Sequence, residues 1–274
     1  MPELPEVEVI RQGLAPLLVG RRFIAVTAGD KRLRQQSPLA QLRRWLPGRL
    51  ITKLRRRGKY LLFDLEGGVT LLIHLGMTGR LFVAGPPSPA LDHVHLRFKV
   101  EGGLNLLYQD VRRFGQVLVF PPGVSPAPLA AVGVEPFSRK LTPDWLLTQS
   151  QGRSRPLKNF LLDAHLVAGI GNIYACEILF ASGLHPATEV RRLTLADWDR
   201  VLAATRRILK HAIAKGGTTV SDYLNSRGET GLFQLELMVY GRAGEPCFRC
   251  GAPITRLVQA GRSSFFCPQC QKLK

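Results

Sequence analysis

The chain has 274 residues, with 38 Lys+Arg against 20 Asp+Glu and a formal net charge of +18. Hydrophobic residues make up 45% of it, enough for a real core, so wholesale disorder is excluded and one large or two ordinary domains fit the length. The charge excludes an acidic solvating protein and points to a polyanionic partner, and 28 of the basic residues are Arg, the better residue for forked contacts to phosphate.

The two halves, divided after residue 137, each hold 19 basic and 10 acidic residues. Both are therefore expected to face the polyanion, and nucleic acid ranks ahead of a membrane or acidic substrates. The N-terminus is acidic (Glu3, Glu6, Glu8) and lacks an apolar run, so no secretory signal is read there. Pro5 suits the first turn of a helix, with Val7, Ile10, Leu14 and Leu17 following at helical spacing. Next come strands. Tyr60–Leu65 and Val69–Leu75 are joined through Gly67-Gly68 as a tight hairpin. Val94, Leu96, Phe98 and Val100 alternate with His95, Arg97 and Lys99 as on a half-buried strand. Leu104–Tyr108 and Gln116–Phe120 continue the pattern. Residues 121–136 hold five of the 19 prolines and read as a linker.

Beyond the linker the period becomes helical. The window Leu166–Leu184 is too polar to span a bilayer. Gly169-Ile170-Gly171-Asn172 precedes a helix at Ile173–Ala181. Glycines there admit an anion to backbone N–H groups, but from this motif alone an ordinary helix–turn–helix with Asn172 as N-cap is the better reading. Arg153, Arg155 and Lys158 lie just upstream and favour phosphate. Thr194 and Asp197 form a capping-box pattern, followed by an apolar face from Trp198 to Ile213 that Gly216-Gly217 ends. Residues 218–233 read as a long loop.

The strongest chemical signal is Cys247-x2-Cys250 and Cys267-x2-Cys270, which has zinc-site spacing. Four Cys ligands make a closed, structural site. Between them Ile254–Val258 and Ser263–Phe266 read as strands around Ala260-Gly261, with Arg262 just after the turn. No acid follows Glu245, so Arg262 is a phosphate candidate. Cys176 is left over as a small core residue. At the other end, removal of Met1 would expose the secondary amine of Pro2. With a pKa of about 8 such an amine is partly unprotonated, hence nucleophilic, and Glu3 beside it could shuttle protons. In the alternative reading Pro2 has no special role and Glu3 and Glu6 merely favour a helix N-terminus.

Met1-Pro-Glu-Leu-Pro-Glu-Val-Glu8, Arg57-Gly-Lys-Tyr-Leu61, His74-Leu-Gly-Met77, Arg112-Arg-Phe-Gly115, Gly169-Ile-Gly-Asn-Ile-Tyr174, Gly216-Gly-Thr-Thr219, Val239-Tyr-Gly-Arg242 and the four Cys together resemble the bacterial formamidopyrimidine-DNA glycosylase (8-oxoguanine-DNA glycosylase) family from Pro2 to Gln271. The resemblance implies an α+β fold of two domains. An antiparallel β-sandwich with an N-terminal helix occupies 1–120 and a linker 121–137. A helix–two-turn–helix domain with a base-covering loop occupies 138–234, and a zinc-finger hairpin 235–274. It further implies a bifunctional glycosylase and AP lyase that flips oxidised purines out of duplex DNA. Pro2 would be the nucleophile, Glu3 the general acid/base, Lys59 and Arg262 the lesion-phosphate and elimination residues. Met77, Arg112 and Phe114 would fill the void left by the base. His74, His93, Arg153, Lys158 and Asn172 would contact the backbone, and Thr218, Thr219 and Tyr223 would belong to the covering loop. One structural zinc, damaged double-stranded DNA as partner, a monomeric state, no membrane and a cytoplasmic, nucleoid-associated location complete the expectation. The chain departs from the family at Val111, where Pro is common, and at Leu91, where His is common.

Two alternatives stand beside it. An endonuclease VIII-like enzyme for oxidised pyrimidines typically begins Pro-Glu-Gly-Pro, whereas Leu4 stands here. A non-catalytic zinc-hairpin DNA-binding protein would need neither Pro2 nor Glu3.

Overall fold

The computed structural model describes residues 1–29, 33–34, 37–85, 91–218 and 236–274. They divide into two compact units: residues 1–130 with 215–218, and residues 131–214 with 236–274.

The first unit opens with helix α1 (Leu4–Leu18), which carries Pro5 in its first turn. Its core face is Val7, Ile10, Leu14 and Leu18, all fully buried. Leu17, expected on that face, is exposed instead, because the stripe steps by four from Leu14 to Leu18. Each of these burials contributes about 1.5–3 kcal/mol by transfer. Strands β1 (Phe23–Ala28), β2 (Ile51–Arg57), β3 (Tyr60–Leu65), β4 (Val69–His74), β5 (Gly79–Ala84), β6 (Val94–Val100), β7 (Leu104–Asp110) and β8 (Gln116–Phe120) form two antiparallel four-stranded sheets. Their orders are β1-β6-β7-β5 and β2-β3-β4-β8. Both sheets feed one apolar core in which Phe23 lies 6.4 Å from Phe63 and 5.9 Å from Phe98 between ring centroids. The sandwich is therefore as the alternating patterns predict. A short helix that no sequence pattern announces, α2 (Leu39–Trp45), also lies in this unit. It buries only Leu42, too little for an apolar period to show.

His95 does not face solvent as strict alternation requires. The β6–β7 register shifts between Val94 and Leu96, and His95 turns inward to place Nε2 2.7 Å from the Asp110 carbonyl.

The proline-rich stretch is not wholly irregular: α3 (Ala127–Ala130) lies within it. The second unit contains α4 (Pro143–Ser150), α5 (Leu157–Leu161), α6 (Asn172–Ser182), α7 (Leu195–Ala214) and the hairpin β9 (Thr255–Gln259) and β10 (Arg262–Phe266). Trp198 of α7 is fully buried, 5.2 Å from the Phe160 ring, and donates Nε1–H to Ser150 Oγ. Cys176 is buried in the core, as predicted. Among the described residues no helix is long and apolar enough to cross a membrane.

The start of α7 is capped as its spacing predicts. Asp197 Oδ2 accepts from the backbone N and the hydroxyl of Thr194, each at 2.9 Å, and Arg200 and Lys274 add their charges at Oδ1. Burial pushes the Asp197 carboxyl up, but Lys274, Thr194 and Arg200 outweigh it and hold it well below the usual carboxylate range. Its stabilisation is therefore present above the ordinary carboxylate pKa and lost as pH falls through the lowered one. Asp197→Ala should cost about 1–2 kcal/mol at neutral pH. In urea melts across pH, the gap from wild type should close in strong acid; a gap that persists there would refute the charged-cap account.

Candidate active site and metal centre

The Arg57↔Tyr60 register leaves two residues, Gly58 and Lys59, to join β2 to β3. Gly58 has φ 55°, the left-handed value such a turn requires, and Lys59 is thereby fixed at the tip. Across the sheet His74 pairs with Tyr60, their rings 4.8 Å apart. Burial, with the Lys59 charge, pushes the His74 imidazole down to about 4. His74 is thus neutral at physiological pH. Its Nδ1 accepts the Gly76 N–H at 3.2 Å, so the ring proton resides on Nε2, a donor suited to a phosphate oxygen.

The N-terminus belongs to the same electrostatic neighbourhood. Pro2 is buried, and Glu3 and Glu6 are each 2% exposed. Glu6 Oε2 accepts the Glu3 N–H at 2.8 Å, part of a capping box across the first turn of α1. Its other oxygen accepts from Thr218 N at 2.8 Å and Thr218 Oγ1 at 3.1 Å. Gly217, at φ 82°, has no room for a side chain, since a Cβ there would lie 2.9 Å from Glu6 Oε1. The amino group of Met1 feels burial, which lowers its pKa, then Glu3 and Glu6, which raise it, then Lys59 and Arg112, which lower it. The balance lies below the ordinary value, so a larger fraction of it is unprotonated at neutral pH than in water.

Met77, Arg112 and Phe114 are all exposed and sit on two abutting loops. A Cβ on Gly76 would lie 2.6 Å from the Phe114 carbonyl carbon, and one on Gly115 only 1.5 Å from the Tyr108 hydroxyl. The fully buried Asp110 joins the loops: Oδ1 accepts from Thr78 Oγ1 at 2.6 Å and Oδ2 from Gly115 N at 2.8 Å. Thr78 Oγ1 in turn accepts the Arg112 N–H. Arg112 and Arg34 both lie over the Phe114 ring, at 5.0 and 4.2 Å. His93 is exposed at φ 62°.

In the second unit the arrangement differs from expectation at two residues. Lys158 is fully buried, and its Nζ donates to Ser263 O at 2.8 Å and Ser264 Oγ at 2.7 Å. As it lies, the ammonium anchors β10 rather than facing solvent. Asn172 is not an N-cap: Gly171 holds that position, and Asn172 Nδ2 donates to Ser263 O at 2.9 Å. Arg153 and Arg262 are exposed. Ala260 (φ 47°) and Gly261 (φ 72°) make the tight turn before Arg262. Thr219 and Tyr223 lie outside the described residues; Thr218 is 2% exposed.

Sequence reasoning does not single out Glu6, Asp110 or Glu177 as functional. Glu177 on α6 accepts backbone N–H groups from Met238, Val239 and Tyr240, and burial pushes its carboxyl up. The one available signal is position: Glu6 is at the capping-box site, Asp110 precedes Arg112-Arg113-Phe114-Gly115, and Glu177 sits on an otherwise apolar helix.

The sulfurs of Cys247, Cys250, Cys267 and Cys270 lie within 4.8 Å of one another. Zinc–thiolate bonds of about 2.3 Å in a tetrahedron require sulfurs about 3.8 Å apart, and the pairs at 3.4, 3.6 and 4.0 Å bracket that. Backbone N–H groups of Arg249 and Cys270 point at Cys247 and Cys267 sulfurs. The four residues are positioned to bind one metal ion.

Family models match along the chain in the same order as the structure. The formamidopyrimidine-DNA glycosylase N-terminal domain matches residues 1–117, the formamidopyrimidine-DNA glycosylase H2TH domain 132–223, and the zinc finger found in FPG and IleRS 244–273. A formamidopyrimidine-DNA glycosylase of Thiobacillus denitrificans is 46% identical over 272 residues, covering 99% of this chain and 100% of the relative. The chain belongs to the formamidopyrimidine-DNA glycosylase family. Among solved structures, the MutM (Fpg) protein of Thermus thermophilus superposes with a TM-score of 0.88 at 40% identity, covering all of both chains. A point mutant of the Lactococcus lactis Fpg, in complex with DNA containing Fapy-dG, gives 0.90 at 34% identity over 99% of this chain and 100% of that one. Formamidopyrimidine-DNA glycosylase family membership makes the chain a DNA glycosylase with a zinc-finger hairpin.

Removing the metal with a chelator should unfold the turns that hold the hairpin. Hydrogen exchange should then accelerate at residues 255–266 and stay unchanged in β3. Unaltered exchange in the hairpin of fully metal-free protein would mean that the cysteines are not needed to fold it.

Proposed function

We propose that this glycosylase removes oxidised purines, 8-oxoguanine and formamidopyrimidines, from duplex DNA and then cleaves the strand as an AP lyase. The supporting observation is the buried Pro2 beside the buried Glu3, at a terminus where burial and the charges of Lys59 and Arg112 help to lower the pKa of the Met1 amino group. With Met1 removed, the Pro2 nitrogen becomes the terminal amine. Its lone pair attacks C1′ of the flipped nucleotide, the bond from C1′ to the base breaks, and the base leaves with a proton. The C1′–O4′ bond then breaks as O4′ takes a proton, which opens the sugar, and the resulting cationic imine acidifies the C2′ hydrogen. Loss of that proton expels the 3′ phosphate, and a second elimination expels the 5′ phosphate. Glu3 moves the protons at the sugar.

Lys59 and Arg262 would hold the lesion phosphates and assist the eliminations. Met77, Arg112 and Phe114 would enter the gap left by the base, with Arg112 facing the opposite cytosine. Their exposure on loops pinned through Asp110 supports this role. His74, His93 and Arg153 would contact the backbone. Lys158 and Asn172 would act on DNA through Ser263, by setting the β10 backbone next to Arg262. Thr218, Thr219 and Tyr223 would belong to the segment over the extruded base. A monomer acting in the cytoplasm fits this reading, with residues 1–120, 121–137, 138–234 and 235–274 as sandwich, linker, helical domain and zinc finger.

Borohydride reduction during incubation with 8-oxoguanine opposite cytosine should trap a covalent adduct of protein lacking Met1, as intact mass shows, and trapping should fade as pH falls and the amine protonates. Equal trapping by Pro2→Gly would defeat the proline mechanism, and faster cleavage of thymine glycol would move the substrate to oxidised pyrimidines. Salt dependence separates the two basic residues of the second unit. Arg262→Ala should weaken binding and reduce the salt slope by about one. Lys158→Met should weaken binding with the slope intact, and a reduced slope would restore Lys158 as a direct phosphate contact.

A further inference from the structure

The ladder between β5 and β7 ends at the Gly79↔Asp110 pair. Just beyond it the chain makes two tight turns. The Gly79 N–H donates to Leu75 O at 2.9 Å, and the Arg113 N–H donates to Asp110 O at 3.3 Å. Met77 and Thr78 lie in the first turn and Arg112 in the second. No side chain fits at position 79, where a Cβ would lie 2.1 Å from Leu75 O. Thr78 is therefore held between the two turns, immediately after Met77 and outside the ladder.

The Thr78 hydroxyl bonds in both directions. It donates to Asp110 Oδ1 at 2.6 Å, and its oxygen accepts the Arg112 backbone N–H at 3.0 Å. A hydroxyl has one proton, so giving it to a carboxylate, which only accepts, leaves lone pairs to face Arg112. Asp110 is itself firmly held. Its Oδ2 accepts the Gly115 N–H at 2.8 Å, His95 Nε2 lies 2.7 Å from its carbonyl, and its own N–H donates to His93 O at 3.0 Å. Burial, then the Asp110 charge and a hydrogen bond to Asp110, push the Tyr108 phenol up, so it stays protonated as a further donor to that acid. The contacts thus run from a fully buried acid through one hydroxyl to the backbone of an exposed arginine. A long side chain such as Arg112 is free to sample many rotamers, and a fixed backbone is what narrows its reach.

We propose that Thr78 is a specificity-determining positioning residue: through the Asp110–Thr78–Arg112 relay it sets Arg112 where the guanidinium discriminates the base opposite the lesion. A guanidinium offers only donors. The unpaired edge of cytosine presents adjacent acceptors, O2 and N3, whereas that of adenine presents an acceptor beside an amino donor. Telling them apart requires the fork to be placed within about 0.5 Å. The hydroxyl carries this role, because Thr78→Val keeps the shape of the side chain and removes a bond from both Asp110 Oδ1 and the Arg112 N–H. The proposal rests on the reading of Arg112 as the side chain facing the opposite base, and it is independent of the Pro2 chemistry.

The test measures base release in single turnovers on duplexes with 8-oxoguanine opposite cytosine and opposite adenine. Hot alkali develops the product, so no lyase step is needed. Wild type should favour cytosine. Thr78→Val should lower the cytosine-to-adenine rate ratio roughly tenfold, chiefly through slower excision opposite cytosine, and Thr78→Ser should restore it. Arg112→Ala should collapse the ratio, and adding Thr78→Val to it should change the ratio no further. Thermal melts establish that the variants fold; should Thr78→Val fail to, Thr78→Ala against Thr78→Ser makes the same comparison. A merely structural hydroxyl slows both substrates equally and leaves the wild-type ratio, and that result would overturn the proposal. So would a ratio that Thr78→Ser does not restore. An unchanged ratio in Arg112→Ala would instead sink the reading of Arg112, and the proposal with it, so the two failures are told apart.

Discussion

One buried carboxylate, Glu6, constrains the N-terminal end of the first unit. A charge withdrawn from water is tolerable only when its oxygens are fully bonded, and here the partners are Glu3 N on one side and Thr218 N and Oγ1 on the other. Satisfying that single group fixes where α1 begins, and so where Pro2 and Glu3 lie. The same bonds set the backbone at Gly217-Thr218, which is why position 217 needs a left-handed residue without a side chain. The apolar face of α1 supplies the anchorage: four fully buried side chains hold the helix against the sandwich core while its first turn carries polar residues into the site.

The second unit applies the same logic to the hairpin. A metal joins two Cys turns at the base of the ribbon, but it does not by itself orient the strands. Lys158 and Asn172 meet at one carbonyl, Ser263 O, and Glu177 gathers three successive N–H groups from residues 238–240. Arg262, one residue before Ser263, inherits its position from those ties. A two-stranded ribbon alone is marginally stable in water, so this combination of metal and buried polar links makes the tip rigid enough to present one side chain.

Much of this was legible in the sequence because it rests on period and spacing. The strand runs of β6 and β7, the Thr194–Asp197 cap, the two-residue hairpin turn before Arg262 and the Cys-x-x-Cys pairs are local patterns, and the folded chain keeps them. What sequence could not supply was which polar residues turn inward. His95 reads as an outward position until a bulge reverses it, Lys158 reads as a surface charge until Ser263 and Ser264 are folded over it, and Leu17 and Leu18 are distinguished only by the roll of α1 on its core. The deciding partner lies 15 residues along the chain for His95 and 106 for Lys158, beyond the reach of any local rule. The motifs that carry the family resemblance reach further than such rules, because they name distant residues together.

The distribution of charge between interior and surface has a last consequence. Among the described residues, five acids (Glu3, Glu6, Asp110, Glu177 and Asp197) are buried, while Lys158 is the one buried base among the Lys and Arg residues. Folding thus sorts the ions by sign. Seen from far away the molecule still has the field of its formal charge, which draws it toward a polyanion. At contact distance these five acids have been withdrawn behind the solvent boundary, and the skin of the protein is more cationic than its composition. The acids that remain inside are the scaffold by which the cations outside are aimed.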